Sequence, residues 1–90
     1  MKFTWDTKKA SSNVAKHGIS FEEAATVFGD PLSDTFPDPD HSQDEQRFII
    51  IGSSEQGRII VVGHTDDGEV TRIINAREAT YGERKSYEEN

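Results

Sequence analysis

Apolar residues along this chain recur with two different periods. Phe21, Ala24, Ala25 and Phe28 stand at i, i+3, i+4 and i+7, the spacing of one helix face. Ser20-Phe21-Glu22-Glu23 opens that run as a capping box: the Ser20 hydroxyl meets the Glu23 amide and the Glu23 carboxylate reaches back. Gly29-Asp30-Pro31 stops it. Upstream, Phe3 and Trp5 alternate with Lys2, Thr4 and Asp6, which predicts a short strand over 1–6. Residues 8–17 read as a helix with Ala10, Val14 and His17 on one face, ended by Gly18.

Beyond Pro31 the period changes to two. An edge strand is predicted over 32–36, where Pro37 and Pro39 break it. A polar, acidic connection over 38–46 follows. Strands are predicted over 47–53, 58–65 and 69–74, with Asp67-Gly68 supplying the pair favoured in tight hairpins. Simple alternation puts Val70, Arg72 and Ile74 on one face of the last strand, and Thr71, Ile73 and Asn75 on the other. Asn75 with Glu78 three residues on is a second capping-box pattern, predicting a helix from Ala76 to about Tyr87 with Gly82 inside it. The order β-α-α-(β)-β-β-β-α predicts one α+β domain over 1–90 with a mostly antiparallel sheet.

Charge changes this picture in one respect. The chain has 90 residues and a net charge of −7, which opposes nonspecific nucleic-acid binding through phosphate neutralisation. However, residues 30–45 carry six acids and no Lys or Arg; the rest holds eleven acids against ten bases. The acidity is thus partly local, and a basic cleft is compatible with it. There is no cysteine, so disulfides and thiolate metal sites are excluded. No apolar run approaches the roughly 20 residues needed to span a membrane, and the first residues lack an apolar signal core. A cytoplasmic protein is expected. His41 with Asp38, Asp40 and Asp44 superficially resembles a metal cluster, but the spacing matches no zinc pattern and a solvated loop is the expectation.

Arg72, Arg77 and Arg84 around the predicted strand-to-helix corner point to an anion, and a resemblance gives that anion an identity. Phe3-x-Trp5-Asp6, Lys8, Asn13, Lys16-His17-Gly18-x-Ser20-Phe21-Glu22-Glu23-Ala24 and Val27-Phe28-x-Asp30-Pro31 resemble the N-terminal half of BrnT toxins. Asp38-x-x-His41-Ser42-x-x-Glu45-x-Arg47, Gly57-Arg58, Arg72-Ile73-Ile74-x-Ala76-Arg77 and Glu83-Arg84-x-x-Tyr87 continue it. The resemblance implies a RelE-like ribonuclease fold and a type II toxin that cleaves RNA without a ribosome, metal or other cofactor. It also implies neutralisation by a BrnA-type ribbon-helix-helix antitoxin, with operator DNA bound only through the toxin–antitoxin complex. Asn75 departs from the serine usual before Ala-Arg, and Gly82 is unexpected in the last helix.

Metal-free RNA cleavage needs a base for the 2′-OH, a cation for the phosphorane and an acid for the 5′-oxygen. Arg72 and Arg77 suit the middle role, because a guanidinium is always charged and forks onto phosphate. The alternative for each is a structural ion pair with Glu45 or Glu83. His17, His64 and Glu45 are the acid–base candidates, with Lys16 as a further cation. Glu45-x-Arg47 serves either as base and phosphate clamp or as a salt bridge pinning the acidic loop. Arg58, Arg84 and Tyr87 are expected to contact RNA, with packing against the sheet the alternative for Tyr87. A different class of function, a noncatalytic module retaining only the antitoxin interface, uses the same residues without the chemistry.

Overall fold

A computed structural model describes residues 1–89. Its elements are β1 (Lys2–Thr4), α1 (Thr7–His17), α2 (Phe21–Thr26), β2 (Asp34–Pro37), β3 (Phe48–Ser53), β4 (Ile59–Asp66), β5 (Val70–Glu78) and α3 (Tyr81–Glu89). Short 3₁₀ turns, Val27–Gly29 and Pro39–His41, follow α2 and β2. The five strands form one sheet in the order β1-β5-β4-β3-β2, antiparallel except where β1 pairs parallel with β5. This is the α+β architecture expected, with all five predicted strands present.

One face of the sheet packs against α2. Ile19, Phe21, Ala24 and Val27 meet Ile50, Ile60, Val62, Ile73 and Ala76, all buried, with Phe3, Trp5 and Phe28 around them. Complete burial of a side chain such as Phe21 is worth about 2–3 kcal/mol. The Ser20 hydroxyl caps α2 by accepting the Glu23 amide at 3.0 Å. The Glu23 carboxylate does not reach back as the capping box predicts. It accepts from the Ser54 hydroxyl at 2.7 Å and from Arg58 Nε at 2.9 Å, because a guanidinium is the better partner for a carboxylate this buried.

Helix α1 lies along β5, but its inward face is not the predicted one. Ala10 and Asn13 point inward, whereas Val14 is 48% exposed. Asn13 donates to the carbonyls of Ile19 (2.9 Å) and Ala76 (2.8 Å), and accepts the Ala76 amide (3.1 Å). Its carboxamide therefore pairs with both polar backbone groups of one β5 residue, as a neighbouring strand would. Gly18 closes α1 at φ 69°, a left-handed conformation suited to glycine, and its amide bonds to the Val14 carbonyl at 2.8 Å.

The largest departure from expectation is β5. It does not end at Ile74 but runs to Glu78, so Asn75 is not an N-cap and Arg77 is not on a helix. The helix begins at Tyr81, and its capping box is Thr80-x-x-Glu83: the Glu83 amide donates to Thr80 Oγ1 at 3.2 Å and the Thr80 amide to Glu83 Oε1 at 2.9 Å. Gly82 then sits in the first turn of α3, where it interrupts nothing.

Within β5, Gly63 of β4 pairs with Asn75 and the next residue, His64, pairs with Ile73. Ile74 is thus an extra residue, a β-bulge, and it reverses the alternation of side chains. Thr71 and Ile73 before it, and Ala76 after it, are buried toward the core, while Arg72, Asn75 and Arg77 all stand on the opposite, outer face. Strict alternation separates Arg72 from Asn75; the bulge unites them.

Candidate active site

On the outer face, a cleft of about 330 Å³ opens between the C-terminal turn of α1, the Pro39–His41 turn and the centre of the sheet. Ile49, Val61 and Gly63 form its floor, and Lys16, His17, Asp38, His41, Asn75 and Arg77 its polar walls. Gly63 leaves room for Asn75: a Cβ at this position would lie 2.8 Å from Asn75 Oδ1 and displace that carboxamide. Without that side chain, Asn75 lies across its pairing partner and turns its amide to the cleft.

Arg77 is held by Glu83 of α3 through two hydrogen bonds, Nη1–Oε1 at 2.7 Å and Nη2–Oε2 at 2.9 Å. Nη1 also donates to the Glu78 carbonyl at 3.3 Å. Three of the five guanidinium N–H groups are thereby used and two remain. The Arg77 hydrogen bonds hold the Glu83 carboxyl down at about 2.

His41 Nδ1 lies 2.8 Å from Asp38 Oδ2. With the proton on Nδ1 this contact orients the ring and leaves Nε2 unprotonated, as a general base requires. The turn carrying the pair is tied down by Ser42, whose hydroxyl donates to the Asp38 carbonyl at 2.6 Å and accepts the Arg47 amide at 2.8 Å. His41 was not among the acid–base candidates read from the sequence. Its signal was Asp38-Pro39-Asp40-His41, where proline starts a 3₁₀ turn that sets positions i and i+3 beside each other.

The remaining candidates are dispersed. Arg72 shares the outer face with Arg77 but forms an ion pair with Glu45 and does not line the cleft. Glu45 therefore joins Arg72 rather than Arg47, which precedes β3 instead of beginning it. His64 is 3% exposed on the core side, edge-on to the Phe28 ring at 4.8 Å and stacked near Phe48 at 5.9 Å. Burial lowers its pKa, and the Val62 carbonyl that accepts from Nδ1 at 3.2 Å only partly opposes this. Register explains its place, since His64 pairs with Ile73, not with Arg72.

Arg58 is a clamp. It bonds both oxygens of Glu23, reaches Glu78 at 3.3 Å and donates to the Gly18 carbonyl at 3.1 Å. These contacts raise its pKa and lower that of Glu23. Arg84 lines a separate depression with Arg58, Glu78 and Glu88. Tyr87 packs α3 toward the sheet and donates its hydroxyl to Asp30, which pushes the phenol up to about 12. Of the sequence candidates, the cleft brings together Lys16, His17 and Arg77.

The class of this α+β protein comes from comparison with known proteins: it is a ribonuclease toxin. The family model described as the ribonuclease toxin BrnT of type II toxin–antitoxin systems matches residues 5–83. The chain belongs to the BrnT family. A crystal structure of the Brucella abortus ribonuclease toxin BrnT superposes with a TM-score of 0.69 at 29% identity, covering 89% of this chain and 97% of that one. No curated protein matches the sequence. Among the described residues no helix is long and apolar enough to cross a membrane.

Proposed function

We propose that this toxin cleaves single-stranded RNA in the cleft between α1 and the Pro39–His41 turn, by attack of the 2′-OH on the adjacent phosphate and without a metal. The observation that carries this reading is the convergence of His17, Lys16, His41 and Arg77 on one cleft. His41 Nε2, with Asp38 on the other ring nitrogen, takes the proton from the 2′-OH. The 2′-oxygen attacks phosphorus while Arg77 and Lys16 stabilise the charge that builds on the equatorial oxygens. Protonated His17 gives its proton to the departing 5′-oxygen, leaving a 2′,3′-cyclic phosphate and a 5′-hydroxyl. Asn75 donates its amide to a phosphate oxygen or a base edge.

The ribosome is not needed in this scheme, since every group comes from the chain itself. We further propose that a BrnA-type ribbon-helix-helix antitoxin neutralises the toxin and that operator DNA is bound only through that complex; membership of a type II toxin–antitoxin family supports an antitoxin partner.

The test is cleavage of a defined RNA by the purified chain in EDTA, with the product ends identified. Each of His17→Gln, His41→Gln and Arg77→Ala is expected to lower the rate by about 10²–10⁴-fold, with retained folding shown by circular dichroism. Arg72→Ala is expected to have a much smaller effect. Cleavage abolished by EDTA, or unaffected in Arg77→Ala, refutes the mechanism. Antitoxin binding with no cleavage by the native chain would make it a binding module instead.

A further inference from the structure

Beside the cleft runs a second depression of about 300 Å³, open along its length and lined by Lys8, Lys9, Ser12 and Ile74. It also shares Lys16, His17 and Asn75 with the cleft, so the two adjoin. Its electrostatics are opposite to those of the molecule. The chain carries −7, yet α1 contains Lys8, Lys9, Lys16 and His17 and no acid. Arg58, Arg72 and Arg77 each pair with a carboxylate, whereas Lys8, Lys9 and Lys16 have no ion-pair partner among the described residues. Lys8, Ser12 and Lys16 are four residues apart and follow one side of the helix for about 12 Å.

The backbone of α1 does not supply an anion site. The carboxylate of Asp6 already accepts the Lys8 and Lys9 amides at 2.8 and 3.0 Å. What the groove offers is flexible ammonium groups at spaced positions, which suit successive phosphates of a mobile strand better than one fixed anion. Asn13 holds α1 rigidly to β5 at its middle, so these lysines keep their place relative to Arg77.

We infer that Lys8 and Lys9 form a secondary phosphate track, which holds the RNA strand flanking the scissile phosphate and makes a single-stranded oligonucleotide, not a dinucleotide, the preferred substrate. This inference rests on the ribonuclease reading of the cleft. It assigns to α1 a binding role separate from the chemistry.

The experiment measures binding of a 2′-O-methyl 12-mer RNA, which cannot be cleaved, by fluorescence anisotropy across a salt series. Cleavage of a 12-mer and of a dinucleotide is followed in parallel. The double variant Lys8→Ala/Lys9→Ala is expected to weaken 12-mer binding by roughly tenfold at low salt and to reduce the log–log salt slope by about 1.4, the contribution of two phosphate contacts on a single strand. Its kcat on the 12-mer and its kcat/KM on the dinucleotide should match the native chain. The control Lys2→Ala/Lys85→Ala removes the same charge elsewhere and should leave the slope unchanged. An unaltered slope in the Lys8/Lys9 variant overturns the track, as does an equal loss in the control. An equal loss of dinucleotide cleavage overturns it too, because these lysines would then act on the chemistry. If the slope changes as expected but the native chain cleaves neither RNA, the track stands and the ribonuclease mechanism falls.

Discussion

Replacing Asn13 by leucine should be among the most damaging conservative changes in this protein. Asn13 is 6% exposed and makes three hydrogen bonds, two to the carbonyls of Ile19 and Ala76 and one from the Ala76 amide. Leucine keeps the branching at Cγ but adds bulk and removes every polar atom, so three buried backbone groups lose their partner. Each such group costs about 1–3 kcal/mol when left unpaired, and water entering at the β5 edge recovers part of that. A net loss of about 3 kcal/mol is expected. Set against roughly 5–13 kcal/mol for a chain of this length, that is a large fraction. In thermal unfolding it corresponds to a fall in Tm of roughly 12–24 °C. Urea melts of Asn13→Leu, with exposed Ser12→Ala as control, measure it directly; the control should stay within about 0.5 kcal/mol. Asn13→Asp keeps the acceptor but turns a carboxylate toward two carbonyls. It should be more damaging at pH 7 than near pH 4, where protonation gives back one donor. A loss below about 1 kcal/mol for Asn13→Leu, at unchanged m-value, would refute the role assigned to this side chain.

Three further outcomes are expected. Glu83 has its carboxyl lowered from 4.5 to about 2 by Arg77, so its contribution is present above 4.5 and lost as pH falls toward 2; Glu83→Gln should flatten the acid limb of a stability–pH curve over that window. His64 has its pKa lowered by burial from 6.5. The unfolded chain then binds a proton that the folded one refuses, stability falls as pH drops below 6.5, and chemical denaturation of His64→Leu should show less of that decline. Arg58→Met should lower stability strongly, because it strands a buried Glu23 carboxylate. Adding Glu23→Gln should restore part of the loss in a double-mutant cycle, and strict additivity would show that the two residues do not act as a pair.

Local patterns in the sequence carried the fold a long way. The Ser20 cap, the Phe21, Ala24 and Ala25 spacing of α2 (which Phe28 continues in the 3₁₀ turn), and the strands around Ile50 and Val61 all depend on neighbours in the chain. The Asn75–Glu78 pattern failed because Thr80-x-x-Glu83 offers the same capping chemistry five residues on. Extension of β5 to Glu78 also gives Val61, Val62 and Ile60 partners across the ladder. A strand-pairing gain of that kind is invisible in a local window.

The site was legible only in part, for a related reason. Lys16-His17 and Arg77 could be singled out by residue type. The Asp38–His41 pair was hidden in an acidic run whose composition argues for a solvated loop. His64 was misplaced because burial depends on register across two strands, and register was not readable. The two proposed ion-pair alternatives, Glu45 and Glu83, both have arginine partners in the structure, Arg72 and Arg77 respectively.

The extra residue Ile74 makes the outer face sensitive to counting rather than to chemistry. Its side chain is half-buried and lines the groove along α1, while its backbone supplies the extra position. A deletion there follows the same count. With one residue fewer, β5 would return to regular alternation with Arg72 and Arg77 four positions apart, still on one face. Loss of the bulge with Ile74 kept is the damaging case: five positions of strict alternation would turn one guanidinium toward Phe21, Ile60 and Val62. A single-residue deletion at this point should therefore preserve the facing of both guanidiniums, because it takes away the bulge and the extra position together.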